Sequence, residues 1–305
     1  MTSGKEAIMT DQLVTAVSTD GAFRIFTVDA SATVGEAQRR HATLPTATAA
    51  LGRTLIGTSL LAAAGLKDDQ GLITVRIKGD GPVGAIIADG TAKGTVRGYV
   101  QNPQVNLPLN VVGKLDVARA VGKRGLLAVT KDLGVGEPFT GQVPLVSGEL
   151  GEDFAYYLAK SEQIPAAVGL SVFVNADGSV KVAGGFMVQA LPGASDQALT
   201  ALETNVKTLP LVSELLKAGV SAEGLVGRVM GATPVKVLER RPLSFACTCS
   251  KDHFAEVMAT LAPRELTQMI EEDHGAEVTC KFCGAQYHYS EAELTSIKKR
   301  SEAHD

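Results

Sequence analysis

The sequence predicts an α+β fold in three parts: an N-terminal mixed α/β domain with largely antiparallel sheets, a helical linker and a small C-terminal domain. Strand-like runs in the first part are separated by Asp-Gly pairs, which favour short turns and antiparallel pairing over regular βαβ units. The next part carries leucines at helical spacing, and the last holds all four cysteines of the chain. We place these three parts at residues 1–193, 194–241 and 242–305.

The composition is that of an ordinary globular protein of 305 residues, with 45% hydrophobic and 20% charged residues. Such a chain can bury one large core or two domains, and it is neither disordered nor fibrous in composition. The formal net charge is −4, and residues 241–305 hold 7 Lys and Arg against 11 Asp and Glu. The charge excess therefore lies in the C-terminal part, where an acidic balance disfavours DNA or RNA as a partner.

The N-terminal domain is predicted to begin with a β-hairpin. The runs Leu13–Val17 and Phe23–Val28 flank Asp20-Gly21, a pair suited to a type I′ turn. The same dipeptide recurs among later strand-like runs, so we expect further turns there and a meander of strands. These pairs are Asp80-Gly81 and Asp89-Gly90, near the runs Leu72–Lys78 and Val83–Ala88, and Asp177-Gly178 after Val172–Val174.

Pro45 to Gly65 is rich in Ala, Leu and Thr and is predicted to be a helix. A membrane span is one interpretation of so apolar a stretch. Arg53 near its middle, the nearby hydroxyl side chains and a length short of about 20 apolar residues favour a buried helix packed on a sheet. We therefore expect no membrane partner.

A second helix is predicted from about Gly148 to Ser161, and three acidic residues crowd its start: Glu149, Glu152 and Asp153. Two carboxylates could form an acid/base pair in an enzyme. Acidic residues in a first helical turn are also expected from the helix macrodipole, so a structural role is favoured.

The cluster Gln38-Arg39-Arg40-His41 could bind an anionic ligand, but a site of that kind needs a nucleophile or a phosphate-binding loop nearby. The sequence contains no Gly-x-x-x-x-Gly-Lys-Ser/Thr, Gly-x-Ser-x-Gly or His-Glu-x-x-His motif. Salt bridging is the favoured role, and we expect no nucleotide cycle.

The segment after Pro192 is predicted to be a helical connector. Leu199, Leu202 and Val206 recur at helical spacing, followed by a second leucine group beyond Pro210. A short helix is expected at Ser221–Met230, with Gly231 as its stop. These apolar stripes must pack on another surface, most simply the N-terminal sheet.

The four cysteines form two short pairs, Cys247-x-Cys249 and Cys280-x-x-Cys283, separated by thirty residues. This pattern predicts one tetrahedral Zn²⁺ held by four sulfurs, which makes residues 242–305 a zinc-binding domain. His253 and His288 lie near the pairs, but four cysteines already complete a closed site. Disulfides of a secreted protein are disfavoured, since we find no signal-peptide pattern and no Asn-x-Ser/Thr site, and we expect a cytoplasmic protein.

The cysteine pattern resembles that of the redox-regulated chaperones of the heat shock protein 33, or 33 kDa chaperonin, family. The likeness extends over roughly residues 10–295. It leaves the first eight residues outside, so Met9 is an alternative start. The segments that carry it are Gly35–His41, Pro45-Thr46, Ala50–Arg53, Gly81–Gly84, Asn102-Pro103, Phe139–Gly141, Ser147–Gly151, Gly184–Phe186 and Met269–Asp273, besides the cysteines.

The resemblance implies an ATP-independent holdase that binds unfolding proteins during oxidative stress and is not an enzyme. In the reduced, inactive state one Zn²⁺ per chain is expected on Cys247, Cys249, Cys280 and Cys283. Oxidation is expected to join Cys247 to Cys249 and Cys280 to Cys283, release the metal and unfold the C-terminal region, with homodimer formation. Four cysteines by themselves allow three pairings, and only the resemblance selects this one. The linker is expected to be metastable and to expose apolar surface when released.

Two other functions remain as alternatives. The thiols could be the catalyst of a thiol–disulfide oxidoreductase, although a thioredoxin-like strand, Cys-x-x-Cys and helix near the N-terminus is absent from the sequence. A zinc-ribbon nucleic-acid-binding protein is the other, and the acidic C-terminal domain disfavours it.

Overall fold

The computed structural model describes residues 11–67 and 70–302, which fall into two compact units, Met1–Ala246 and Cys247–Asp305. Residues 1–8 and Met9, the alternative start, lie outside the described residues. Within the first unit the elements are β1 Gln12–Ser18, β2 Phe23–Asp29, α1 Ser31–His41, α2 Pro45–Gly65, β3 Leu72–Lys78, β4 Ala85–Thr91, β5 Thr95–Val100, α3 Val117–Val121, β6 Leu126–Asp132, β7 Phe139–Pro144, α4 Gly151–Lys160, β8 Ala166–Val174, β9 Val180–Ala190, α5 Asp196–Thr208, α6 Val212–Lys217, α7 Ala222–Met230, β10 Val235–Pro242 and β11 Ser244–Phe245.

The predicted α+β class with antiparallel sheets is confirmed. One sheet has the strand order β10-β1-β2-β9-β8 and the other β11-β5-β4-β3-β6-β7, and among these pairings only the short β11–β5 pair is parallel. The first hairpin pairs Gln12 with Asp29 and Val17 with Arg24. Most connections between sequential strands are short, which is why antiparallel pairing dominates.

Helix α2 packs against strands of both sheets, and 17 of its 21 residues are buried. It is long and apolar enough to cross a membrane, but it is mostly buried inside this unit, so the predicted core helix is confirmed. Two of its buried hydroxyls are satisfied within the helix, since Thr54 and Thr58 donate to the carbonyls of Ala50 and Thr54 at 2.9 and 2.8 Å. Gly57 is required by packing, because a Cβ there would lie 2.5 Å from the ring of Phe154.

The Asp-Gly pairs have different outcomes. Asp177-Gly178 lies in the β8–β9 turn and Asp80-Gly81 in the β3–β4 connection, as predicted. The first hairpin has its turn at Asp20-Gly21, but the turn is not type I′. Of its loop residues only Gly21 has a positive φ, and type I′ needs two.

The predicted turn at Asp89-Gly90 is wrong, because both residues lie inside strand β4. The Asp89 carboxylate is buried there and accepts hydrogen bonds from Thr74 at 2.8 Å and Arg97 at 3.0 Å. These cross-strand partners satisfy its charge, so the residue remains within the strand.

Three helices, α5 to α7, cover one face of the first sheet, as the leucine spacing predicted. Beneath them lie apolar residues of β1, β2 and β9, including Val14, Ile25 and Val188. The end of the expected helical linker differs from the prediction. Val235–Pro242 forms β10, an edge strand paired with β1, so the segment 194–241, which was predicted as a helical linker, ends in a strand after its last helix.

The second unit contains α8 Lys251–Met258, α9 Pro263–Glu271, β12 Gly275–Thr279, β13 Gln286–Ser290 and α10 Glu291–Glu302. The hairpin of β12 and β13 pairs Glu277 with His288 and Val278 with Tyr287. Few side chains are fully buried in this unit, and the core is correspondingly small. Its buried members are Ala255, Met258, Leu266, Tyr289, Leu294 and Ile297.

Candidate metal centre

The four cysteines come from two local structures of the second unit. Cys247 and Cys249 lie in the extended segment before α8, whose first turn is capped by Ser250 accepting from the His253 amide. Cys280 and Cys283 lie in the turn between β12 and β13. Gly284 closes this turn with a φ of 72° and donates to the Cys280 carbonyl at 2.8 Å.

The sulfur atoms form a compact cluster, all within 4.8 Å of one another, which could hold a metal ion. Cys247 Sγ lies 3.8 Å from Cys280 Sγ, and Cys249 Sγ lies 3.3 Å from Cys283 Sγ. Sulfurs on a tetrahedral Zn²⁺ at 2.3 Å are about 3.8 Å apart. Both the spacing and the all-sulfur donor set therefore fit a zinc-type structural site.

Two of the four thiols are protected from water, since Cys280 and Cys283 are only 5% and 4% exposed, whereas Cys247 and Cys249 are half-buried. Burial, with a smaller contribution from the neighbouring thiol of Cys249, raises the pKa of Cys283 to about 12, and burial raises the pKa of Cys280 as well. Four thiolates so close together need a compensating charge. A bound divalent cation would supply that charge, because thiols that coordinate a metal are deprotonated.

A tyrosine next to the cluster was missed at the level of sequence. The Tyr287 hydroxyl lies 3.1 Å from the carbonyl oxygen of Cys249 and 3.3 Å from its Sγ. The hydrogen bond to Cys249 raises the pKa of Tyr287 to about 12, so the hydroxyl stays protonated at neutral pH. Its alternation with Tyr289 along β13 could have indicated a role, but not the partner 38 residues away.

Neither nearby histidine joins the cluster of sulfurs. His288 faces Glu277 across the hairpin, with Nδ1 3.4 Å from a carboxylate oxygen, and its side chain is 73% exposed. His253 lies on α8 with its ring 5.9 Å from that of Phe254.

The acidic residues of α4 have structural partners. Asp153 is fully buried and accepts from the amides of Val146, Ser147 and Leu150 at 2.7, 3.1 and 3.0 Å. Glu149 pairs with Arg53 at 2.6 Å. These contacts support the structural interpretation over an acid/base pair.

The Gln38-Arg39-Arg40-His41 cluster also makes structural contacts. Arg39 and Arg40 both bind Glu36, at 2.8 and 2.7 Å, and the Arg39 hydrogen bond lowers the pKa of Glu36 to about 2. Gln38 accepts from the Val180 amide at 3.2 Å and so links α1 to the start of β9.

Comparison with known proteins gives a consistent result. The family model described as Hsp33 protein matches residues 11–290. A 33 kDa chaperonin of Lacticaseibacillus casei is 67% identical over 96% of this chain and 100% of its own length. One of Enterococcus faecalis is 49% identical over 95% of this chain and 97% of its own length. The crystal structure of the 33 kDa chaperonin of Thermotoga maritima superposes with a TM-score of 0.88 at 39% identity, covering 97% of this chain and all of that one.

Proposed function

The chain belongs to the Hsp33 family of chaperones, and from that premise we propose that it is a redox-regulated, ATP-independent holdase. Reduced protein holds one Zn²⁺ and is inactive. Oxidation releases the metal, unfolds the C-terminal region and exposes apolar surface that binds unfolding cytoplasmic proteins and promotes dimerisation. Residues Cys247, Cys249, Cys280 and Cys283 are the zinc ligands and the redox-active thiols.

The observation that carries this proposal is the four-sulfur cluster inside a unit with a small core. Domains of this size seldom fold on apolar burial alone and need a metal or cross-links. When bound, zinc supplies the folding free energy of the unit and keeps the thiols ionised. The same thiols that hold the metal are therefore the groups whose oxidation would unfold the unit.

The oxidation step balances with a hydroperoxide as oxidant. One thiolate attacks the O–O bond, becoming a sulfenic acid and releasing hydroxide; the second thiolate attacks that sulfur, forming the S–S bond and releasing a second hydroxide. Two electrons pass from two sulfurs to the peroxide. The four sulfurs are close enough that geometry does not select the pairing. The pairing of Cys247 with Cys249 and of Cys280 with Cys283 is the one that the resemblance to the family implies.

The surface for client binding is, in this proposal, the sheet face beneath α5 to α7. Apolar side chains of β1, β2 and β9 lie there, and side chains such as Val212, Leu225 and Val229 cover them. Release of the helices would expose both sides of this contact, some hundreds of Å² of apolar surface, more than a stable soluble monomer usually presents.

The test is aggregation suppression of a thermally unfolding protein, without nucleotide, by reduced and by peroxide-treated chaperone, with zinc release followed in the same samples. We expect stoichiometric protection only after oxidation, in step with zinc release, and disulfide mapping should give the two sequence-neighbour pairs. Protection that needs ATP, or that is equal in the reduced state, would contradict the proposal.

The oxidoreductase alternative is tested by a second assay, the turnover of a small disulfide substrate. An attacking thiol must be accessible and of low pKa, whereas Cys280 and Cys283 are buried, lie in a hairpin turn and have raised pKa values. We expect negligible turnover of a small disulfide substrate by reduced protein. Multiple turnovers that are abolished by Cys283→Ser would favour the oxidoreductase over the chaperone.

A further inference from the structure

Tyr287 is held rigidly next to a sulfur of the metal centre. Its backbone pairs with Val278 across the hairpin that carries Cys280 and Cys283, and its ring packs 5.4 Å from that of Phe254. The hydroxyl is thereby fixed within hydrogen-bond distance of two acceptors on Cys249, the carbonyl oxygen and Sγ.

A phenol has one proton to donate, so the charge on the sulfur decides where it goes. A thiolate is the stronger acceptor because its hydrogen bond is charge-assisted, whereas an oxidised sulfur has no such charge and leaves the proton to the carbonyl. This hydrogen bond therefore strengthens in the reduced state and weakens as Cys249 is oxidised.

The two buried sulfurs, those of Cys280 and Cys283, receive their hydrogen bonds from backbone donors. Cys280 accepts from the backbone amides of Phe282 and Cys283, and Cys283 from that of Ala285, contacts built into the turn itself. The donor to Cys249 is a side chain, so a single-atom change removes it and leaves the backbone unaltered.

We propose, on the basis of the redox function proposed above, that Tyr287 is a positioning residue for Cys249 whose hydrogen bond lowers the nucleophilicity of that thiolate and sets the hydroperoxide concentration at which the switch opens. Negative charge leaves the sulfur as it attacks the O–O bond, so a hydrogen bond that stabilises the thiolate slows the attack. Outer-shell partners of this kind typically change metal-site properties by tenfold or more.

The experiment compares Tyr287→Phe with Tyr289→Phe, both loaded with zinc. Tyr289 is the matched control, because its hydroxyl lies on the same strand and donates to the Lys251 carbonyl at 2.5 Å, without a sulfur partner. Zinc release is measured against hydrogen peroxide concentration, and zinc loss to a chelator without peroxide is measured in parallel. We expect the slope against peroxide to rise about tenfold in Tyr287→Phe, with the chelator rate changing much less, and to stay near wild type in Tyr289→Phe.

A second measurement does not depend on oxidation. The zinc-loaded proteins are labelled with iodoacetamide and the labelled sites are mapped by mass spectrometry. Cys249 should react several-fold faster in Tyr287→Phe than in wild type, and the relative labelling rates of the other three cysteines should stay the same. An unchanged peroxide slope, an equal rise in the control variant, or loss of zinc binding by Tyr287→Phe alone would overturn the inference. If wild-type protein releases no zinc with peroxide, the proposed function fails, and the labelling rates still decide the role of Tyr287.

Discussion

At the scale of single residues, the side chains of the first unit that could be interpreted as catalytic make structural hydrogen bonds and ion pairs instead. Asp153 is the clearest case, since its carboxylate is fully buried and takes three backbone amides at the start of α4. The sequence indicated a structural role from position in the helix. It could not indicate that two of the three donors come from the loop before the helix.

Asp153→Ala should destabilise the first unit by about 3 kcal/mol, because it leaves three backbone amides without their acceptor, including that of the buried Leu150. Glu152→Ala is the matched control: the neighbouring carboxylate is exposed, and its loss should cost less than about 0.5 kcal/mol. Urea unfolding of the reduced proteins measures both. Equal midpoints for the two variants would show that the Asp153 hydrogen bonds contribute little.

The four clustered cysteines give a second prediction at this scale. Cys280→Ser should lose stoichiometric zinc, whereas His253→Ala and His288→Ala should keep one zinc with an all-sulfur shell, because neither ring takes part in the sulfur cluster. X-ray absorption at the zinc edge distinguishes the two cases. A nitrogen ligand in the wild-type spectrum that disappears in a histidine variant would contradict a four-sulfur site.

At the scale of elements, the three helices over the first sheet are unequally anchored. No residue of α5 is buried, whereas Ala222, Leu225, Val226, Val229 and Met230 of α7 all are. Helix α7 is also tied to β2 through Thr27, which donates to the Ala222 carbonyl at 2.6 Å. Opening should therefore begin at α5.

Hydrogen exchange of the reduced protein tests this order. Amides of α5 should exchange at least about tenfold faster than those of α7, since apolar burial stabilises the latter by a few kcal/mol more. Asn205→Ala should accelerate α5 further, because it removes hydrogen bonds to the Arg228 and Val229 carbonyls. Thr204→Ala is the control, as that hydroxyl donates within α5. Exchange of all three helices at one common rate would rule out stepwise release.

At the scale of the whole molecule, the second compact unit begins at Cys247, whereas the sequence analysis began the C-terminal domain at residue 242. A cut after Arg241 would shorten β10 and remove β11, and with them the amides that donate to the carbonyls of Asp11, Gly94 and Val96. The compact first unit continues to Ala246. Deletion of residues 247–305 is therefore the matched way to remove the metal-binding unit.

The truncated protein should suppress aggregation in excess reductant, where the full chain does not, and should bind a fluorescent apolar dye. In the proposed mechanism the metal-bound unit keeps the full chain inactive, and one of the helices over the sheet has no buried side chain, so the sheet of the first unit is only weakly covered. Assays of aggregation suppression with full-length and truncated protein at equal concentration measure this difference. A truncation that is compact, dye-free and inactive would mean that the C-terminal unit itself binds clients.

The sequence by itself determined the features that depend on neighbours along the chain. The apolar run of α2, the first hairpin, the leucine spacing of α5 to α7 and the two cysteine pairs arise from periodicity and short spacings. The Asp-Gly pairs predicted turns less reliably. Asp89 lies inside β4 because its carboxylate accepts hydrogen bonds from Thr74 and Arg97 on the two neighbouring strands.

Only the tertiary structure decided which distant groups meet. It brought sulfurs thirty residues apart to within 4.8 Å, placed the Tyr287 hydroxyl on Cys249, and added Val235–Pro242 to the edge of the first sheet. Such contacts depend on how whole helices and strands pack against each other. Local propensity along the chain does not encode the distance between two elements or the register of a strand pair. The metal-binding chemistry of the site could therefore be predicted from four residues, whereas the contact between the Tyr287 hydroxyl and Cys249 could be found only in the fold.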